Sequence, residues 1–152
     1  MYKTLCVAAF LLATFALTSG SKPADASAAG LPSPLIVART KLANQTAPIP
    51  TTTIFAPTQD GLYRLSVYMT QTVAVPTSGA YWIFNAAWSD DAGDEAIGEI
   101  LLNVNQTPSG AYGFFTLLLQ VKAGKPITYS TTLSNGTDGG TYSMYFTLER
   151  ME

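Results

Sequence analysis

The residues best equipped for chemistry crowd into one short stretch, Ser89-Asp90-Asp91-Ala92-Gly93-Asp94-Glu95, with Glu99 just downstream. Calcium takes six to eight oxygen ligands and favours clustered carboxylates, so Asp90, Asp91, Asp94 and Glu95 are the candidate metal ligands. Their spacing does not follow the EF-hand loop, and a solvated acidic loop is the plainer reading; no cofactor is expected. Paired carboxylates also raise glycoside hydrolysis, which needs an acid and a base or nucleophile about 5–9 Å apart across a sugar. Asp90 and Glu99 are the only pair to suggest, and one loop on a small domain is a poor frame for them. Serine and threonine hydroxyls are plentiful, but the chain has no histidine to serve as their base. Lysine can replace it, and beyond the N-terminal segment only Lys41, Lys122 and Lys125 are available. No catalytic residue is nominated, and a non-enzymatic protein is expected.

Aromatic side chains offer a second kind of chemistry. Sugar-binding sandwich modules stack rings on pyranose faces, and Tyr81, Trp82, Trp88 and Tyr145 are the candidates here. Trp82 falls in a core register and reads as packing, whereas Trp88 lies at a strand end beside the acidic loop, where either role fits. Asn44, Asn105 and Asn135 each open an Asn-X-Thr triplet, which we read as coincidence in a threonine-rich composition.

Elements must position these groups, and composition narrows which. The chain has 152 residues, 12% charged and 47% hydrophobic, with a formal net charge of −2. Length allows one ordinary domain. The charge balance supplies no basic footprint for phosphate backbones, so nucleic acid is not an expected partner. Met1, Tyr2 and Lys3 followed by the uncharged run Leu5–Leu17 read as a secretory signal over residues 1–26. The run is shorter than the roughly 20 residues that a bilayer crossing needs. A secreted protein, extracellular or periplasmic, with no membrane span after cleavage is expected. Cys6 lies inside the apolar run and leaves with the signal, so disulfides are not available to the remainder. After Ala26 there are six basic residues, Arg39, Lys41, Arg64, Lys122, Lys125 and Arg150, against nine acidic ones, a net charge of −3.

Residues 27–34 read as a flexible linker, and residues 35–152 as strands from end to end. Leu35–Leu42 and Thr51–Phe55 come first, the latter flanked by Pro50 and Pro57 as suits a sheet edge. From Gly61 the alternation is clean, with Tyr63, Leu65, Val67 and Met69 pointing one way and Arg64, Ser66 and Thr70 the other. Tyr81–Ser89 repeats it with Trp82, Phe84, Ala86 and Trp88, and Ile100–Val104 is a shorter strand. Then come Phe115, Leu117, Leu119 and Val121; Ile127, Tyr129, Thr131 and Leu133; and Tyr142, Met144, Phe146 and Leu148. Turn residues at Gln59-Asp60-Gly61, Thr77-Ser78-Gly79, Pro108-Ser109-Gly110, Ala123-Gly124-Lys125-Pro126 and Asn135-Gly136 through Gly139-Gly140 separate them. Asp91–Ile100, with two glycines, reads as a loop. Eight strands with period-two patterning predict an all-β fold, an antiparallel jelly-roll-like β-sandwich of about eight to ten strands.

Several strands also carry bulky residues on the side away from this core: Tyr68, Tyr81, Ile83 and Tyr145, with Phe114 and Leu118. A solitary sandwich normally shows polar groups there. A contiguous apolar outer face marks an interface, so Tyr68, Tyr81, Ile83, Trp88 and Tyr145 are the candidate interface or binding residues, and a homo-oligomer is the expected partner arrangement.

Three segments carry a family resemblance. The stretch Phe55-Ala56-Pro57-Thr58-Gln59-Asp60-Gly61-Leu62-Tyr63-Arg64-Leu65-Ser66-Val67 resembles the way globular heads of the complement-first-component and tumour necrosis factor superfamily open a core strand. Leu119–Tyr129, with its Ala123-Gly124-Lys125-Pro126 turn, resembles that family's penultimate hairpin, and Thr141–Leu148 resembles its last strand. The sequence is also similar to secreted bacterial and phage-associated domains of unassigned role. The resemblance covers about a third of the chain beyond the signal, and no collagen-like Gly-X-Y stalk precedes it. It implies a jelly roll of about ten strands, assembling as a homotrimer for surface architecture, adhesion or recognition of a glycan or protein ligand, without catalysis. A monomeric carbohydrate-binding module using exposed aromatic residues is the alternative. A further possibility is that Leu35–Leu42 pairs with a neighbour's open sheet edge to build a filament.

Overall fold

The computed structural model describes residues 33–105 and 112–151. The expected signal at 1–26, most of the linker at 27–34 and the turn at Pro108-Ser109-Gly110 lie outside them. The described residues are all-β: β1 (Leu35–Gln45), β2 (Thr52–Phe55), β3 (Gly61–Val73), β4 (Tyr81–Ser89), β5 (Asp94–Asn103), β6 (Tyr112–Val121), β7 (Ile127–Ser134) and β8 (Thr141–Arg150). They form two four-stranded sheets, β1-β8-β3-β6 and β2-β7-β4-β5, with every pairing antiparallel.

This order has a simple origin. Strands β4 and β5 pair as a hairpin, β3 pairs with β6, β2 with β7 and β1 with β8. The chain is thus one long antiparallel ribbon, its tip at the β4–β5 turn, rolled so that alternate pairs land in opposite sheets. The pairings of β3 with β8 and β4 with β7 close each sheet. That is the jelly-roll topology, with two nested Greek keys.

The core follows the two-residue alternation. Tyr63, Leu65, Val67 and Met69 from β3 meet Trp82, Phe84 and Ala86 from β4, with Leu119 and Val121 from β6, Ile127 and Tyr129 from β7, and Tyr142, Met144, Phe146 and Leu148 from β8. Trp82 is fully buried, its ring 4.4 Å from that of Tyr142, and its indole N–H donates to the Gly139 carbonyl at 2.9 Å. Tyr142 and Thr131 share a hydroxyl hydrogen bond of 2.8 Å, and Thr131 Oγ1 also accepts from the Ile49 N–H at 2.8 Å. The buried polar atoms of these residues are thereby satisfied, which spares the desolvation cost of leaving them orphaned.

One element departs from expectation. The segment read as a loop, Asp91–Ile100, is mostly strand: β5 starts at Asp94, and the turn is confined to Asp90–Gly93. Asp90 organises that turn, its backbone N–H donating to the Gly93 carbonyl and its Oδ1 accepting from the N–H groups of Ala92 and Gly93 at 2.7 and 3.2 Å. Gly98, taken as a loop signal, is a strand residue opposite Asn85; a Cβ there would stand 2.9 Å from Asn85 Oδ1. The glycine makes room for a neighbouring amide instead of ending the strand.

Candidate functional site

The outward positions of the β1-β8-β3-β6 sheet fall into cross-strand rows. One row runs Lys41, Tyr145, Tyr68, Phe114; the next runs Arg39, Thr147, Ser66, Thr116; a third runs Ile36, Glu149, Arg64, Leu118. Opposite residues on one sheet face have Cβ atoms about 5 Å apart, so each row is a continuous strip of side chains. The first is aromatic and capped by a cation: Tyr68 and Tyr145 rings lie 6.2 Å apart, Tyr68 and Tyr112 stack at 6.1 Å, and Lys41 Nζ stands 5.5 Å from the Tyr145 ring centroid. The second is a line of hydroxyls ending in a guanidinium. In the third, Arg64 holds Glu149 through two nitrogens at 2.6 and 2.7 Å.

Between the first two rows the face dips into a hollow of about 470 Å³, lined by Arg39, Lys41, Ser66, Tyr68, Phe114, Thr116, Tyr145 and Thr147 among others. Nine large hydrophobic side chains are exposed among the described residues. Six of them, Ile36, Tyr68, Tyr112, Phe114, Leu118 and Tyr145, lie on this one face at between 37% and 72% exposure.

The five residues singled out from the sequence do not all meet. Tyr68 and Tyr145 are cross-strand neighbours at the centre of the aromatic row. Tyr81 and Ile83 are on the other sheet, opposite Ser134 and Thr132, and are only partly exposed. Trp88 packs half-buried against the end of the core, beside a separate hollow that also takes in Glu95, Lys125 and Pro126. The contiguous patch therefore consists of Tyr68 and Tyr145 joined by Phe114 and Leu118, with Tyr112, Ile36, Arg39 and Lys41 added. Tyr112 was missed although it stands two residues before Phe114, where the alternation already marked the outward side.

The acidic stretch is dispersed by its turn. Asp90 caps the turn backbone, Asp94 Oδ1 accepts from the Ser89 hydroxyl at 2.6 Å, and Asp91 pairs with Lys122 while its Oδ2 accepts from Gln120 Nε2 at 3.0 Å. Lys122 also reaches Asp60 at 3.7 Å. The Lys122 ammonium, by hydrogen bond first and charge second, holds the Asp91 carboxyl below its usual range, and Asp91 in turn raises the Lys122 ammonium. Among the described residues no three Asp, Glu, His or Cys side chains converge as a metal site. Asp90 and Glu99 sit in different settings, one folded back on its turn and the other on β5 opposite Phe84.

No family model matches the sequence, nor does any curated protein. Among solved structures, similar chains include the VP2 subviral particle of infectious bursal disease virus, at 14% identity over 74% of this chain and 29% of that one, with a TM-score of 0.37. Another is the Clostridium thermocellum endo-1,4-β-D-xylanase 10B fragment with CBM22-1 and GH10 modules complexed with xylohexaose, at 13% identity over 67% of this chain and 19% of that one, with a TM-score of 0.35. This chain spans less than a third of the length of either.

Proposed function

We propose that the chain is an exported, non-enzymatic jelly-roll head that self-associates through the outer face of the β1-β8-β3-β6 sheet and serves surface architecture, adhesion or recognition. One observation carries this reading: six large hydrophobic side chains exposed together on a single face. Taking each from its present exposure to full burial contributes roughly 1 kcal/mol, on the scale of 1.5–3 kcal/mol for a whole side chain. Association costs about 4 kcal/mol or more in lost rigid-body freedom. Two or three such residues cannot meet that cost, whereas the full set on each copy can. The trimer is what the resemblance to the complement-first-component and tumour necrosis factor heads implies, and export rests on the N-terminal apolar run. Sedimentation equilibrium of the purified protein tests it, with a trimer mass expected; a monomer throughout the micromolar range sinks the reading.

The hollow between the aromatic and hydroxyl rows supports a second reading, a monomeric carbohydrate-binding module. Rings beside hydroxyls and cations are the groups that stack on and hydrogen-bond to a sugar. Trp88, set apart from that hollow, is not part of it. Calorimetric titration against a glycan panel, with Tyr145→Ala as the control, tests this reading; no heat from any glycan removes it.

A further inference from the structure

We infer that the copy covering the aromatic face is seated edge to opposite edge, so that the basic β1 edge of one protomer, Arg39 and Lys41, meets the acidic flank of the next, marked by Glu99. The inference rests on the self-association proposed above and specifies its geometry.

The face is chemically lopsided. Its central ion pair, Arg64 with Glu149, is closed within the protomer. On β1, an outer strand of the sheet, Arg39 and Lys41 project from the same face with no acidic partner among the described residues, although the chain beyond Ala26 is net acidic. The opposite outer strand, β6, has no charged residue between Tyr112 and Val121. On that side Asp91 of the β4–β5 turn accepts from Gln120 of β6 and is closed on Lys122, and an acidic group without an ion-pair partner belongs to β5. Gly113 of β6 presses so closely on Leu101 of β5 that a Cβ would collide with the Leu101 carbonyl oxygen, and the Phe84 and Phe115 rings are 5.5 Å apart. Glu99, two residues before Leu101 and opposite Phe84 in register, is therefore an exposed carboxylate on the β6 flank, and it too lacks an ion-pair partner among the described residues.

Two copies joined like edge to like edge would set four cations together and strand two carboxylates. Opposite-edge seating pairs them instead and leaves the aromatic rows to cover one another. Interfacial charges are worth more than exposed ones because the surrounding rings exclude water.

Sedimentation equilibrium over a concentration series reads this directly for the parent protein, Arg39→Glu/Lys41→Glu, Glu99→Arg and the variant carrying all three changes. Each half-change is expected to weaken association by about tenfold or more, and the triple variant to regain the parent's association. A parent that stays monomeric overturns self-association and this seating together; if it also binds polygalacturonate and loses it on Arg39→Glu/Lys41→Glu, the cations serve an anionic glycan instead. A parent that assembles, with Arg39→Glu/Lys41→Glu assembling equally well, overturns the seating alone. Weakening in both halves without recovery in the triple variant also overturns it. Circular dichroism checks the folds, and should the reversals misfold, Arg39→Ala/Lys41→Ala must still weaken association for the seating to stand.

Discussion

The two sheets share a core and a strand count but turn opposite chemistry outward. The outer side of β2-β7-β4-β5 presents Asn85, Thr128, Ser130 and Thr132, with the Asn85 amide donating to the hydroxyls of Ser130 and Thr132 at 3.4 Å each, and only Ile100 as an exposed large hydrophobic. The outer side of β1-β8-β3-β6 presents rings and aliphatic chains. A sheet covered on one side needs apolar residues at every second position only. The first sheet departs from that rule only at its Tyr81, Ile83 and Ile100 end, whereas the second violates it on all four strands, so the continuous apolar surface belongs to that face and not to the composition of the chain.

The sharpest way to break this comparison is at the two strand glycines that face close neighbours. Gly113→Ala sets a Cβ against the Leu101 backbone, which cannot swing aside, and is expected to cost about 3 kcal/mol. Gly98→Ala meets the end of the Asn85 side chain, which can rotate, and is expected to cost about 1 kcal/mol. Urea melts of the two variants should rank them in that order, and equal midpoints would contradict the packing described for β5 against β6.

The outer faces themselves come next. Phe114→Ser with Leu118→Ser is expected to weaken self-association by about 100-fold, equivalent to about 2.7 kcal/mol. Ile83→Ser with Ile100→Ser, on the other sheet, is expected to leave it unchanged. Size-exclusion chromatography at graded loading distinguishes these, and an equal loss from both pairs would erase the difference between the faces.

Smaller effects belong to the charges. Arg64→Ala removes a partly exposed ion pair on the apolar face and is expected to lower stability by about 0.2–1 kcal/mol, less at high salt. Asp91 and Lys122 lie off both faces and are solvent-exposed, so their effect is the smallest. The Asp91 carboxyl is lowered in the folded chain, so its contribution is present above the ordinary value of 3.8 and fades as pH falls through the lower folded value. Lys122 is raised, so its contribution is present below 10.5 and is lost as pH rises through the higher folded value. Thermal melts of Asp91→Asn against the parent should differ at neutral pH and converge at both extremes; a constant gap would mean the pair contributes nothing dependent on charge.

Much of this was legible before any coordinates. Strict alternation in β3, β4, β7 and β8 has one solution when half the positions are bulky and apolar, and Trp82 inside the core follows from it. The missed half of β5 shows where local signals mislead. Gly98 and the acids before it read as loop because propensity counts residues singly, while the strand exists because β4 offers a full row of backbone partners from Tyr81 to Ser89. Calcium was suggested by carboxylates adjacent in sequence. Adjacent residues of an extended chain point to opposite sides, and here Asp90 turns to its own backbone, Asp91 to Lys122 and Asp94 to Ser89.

What the sequence determined by itself was the side on which each residue lies, because the two-residue repeat of a strand is local and holds whatever the strand pairs with. Which strands became neighbours was a tertiary decision. Tyr68 and Tyr145 meet through the register of β3 on β8, Tyr81 and Ile83 were carried to the opposite sheet, and Lys41 came to rest over a ring more than a hundred residues away in the chain. Side-chain alternation needs only the pleat of one strand; pairing depends on how the whole ribbon rolls to bury its core, and no short stretch of residues contains that information.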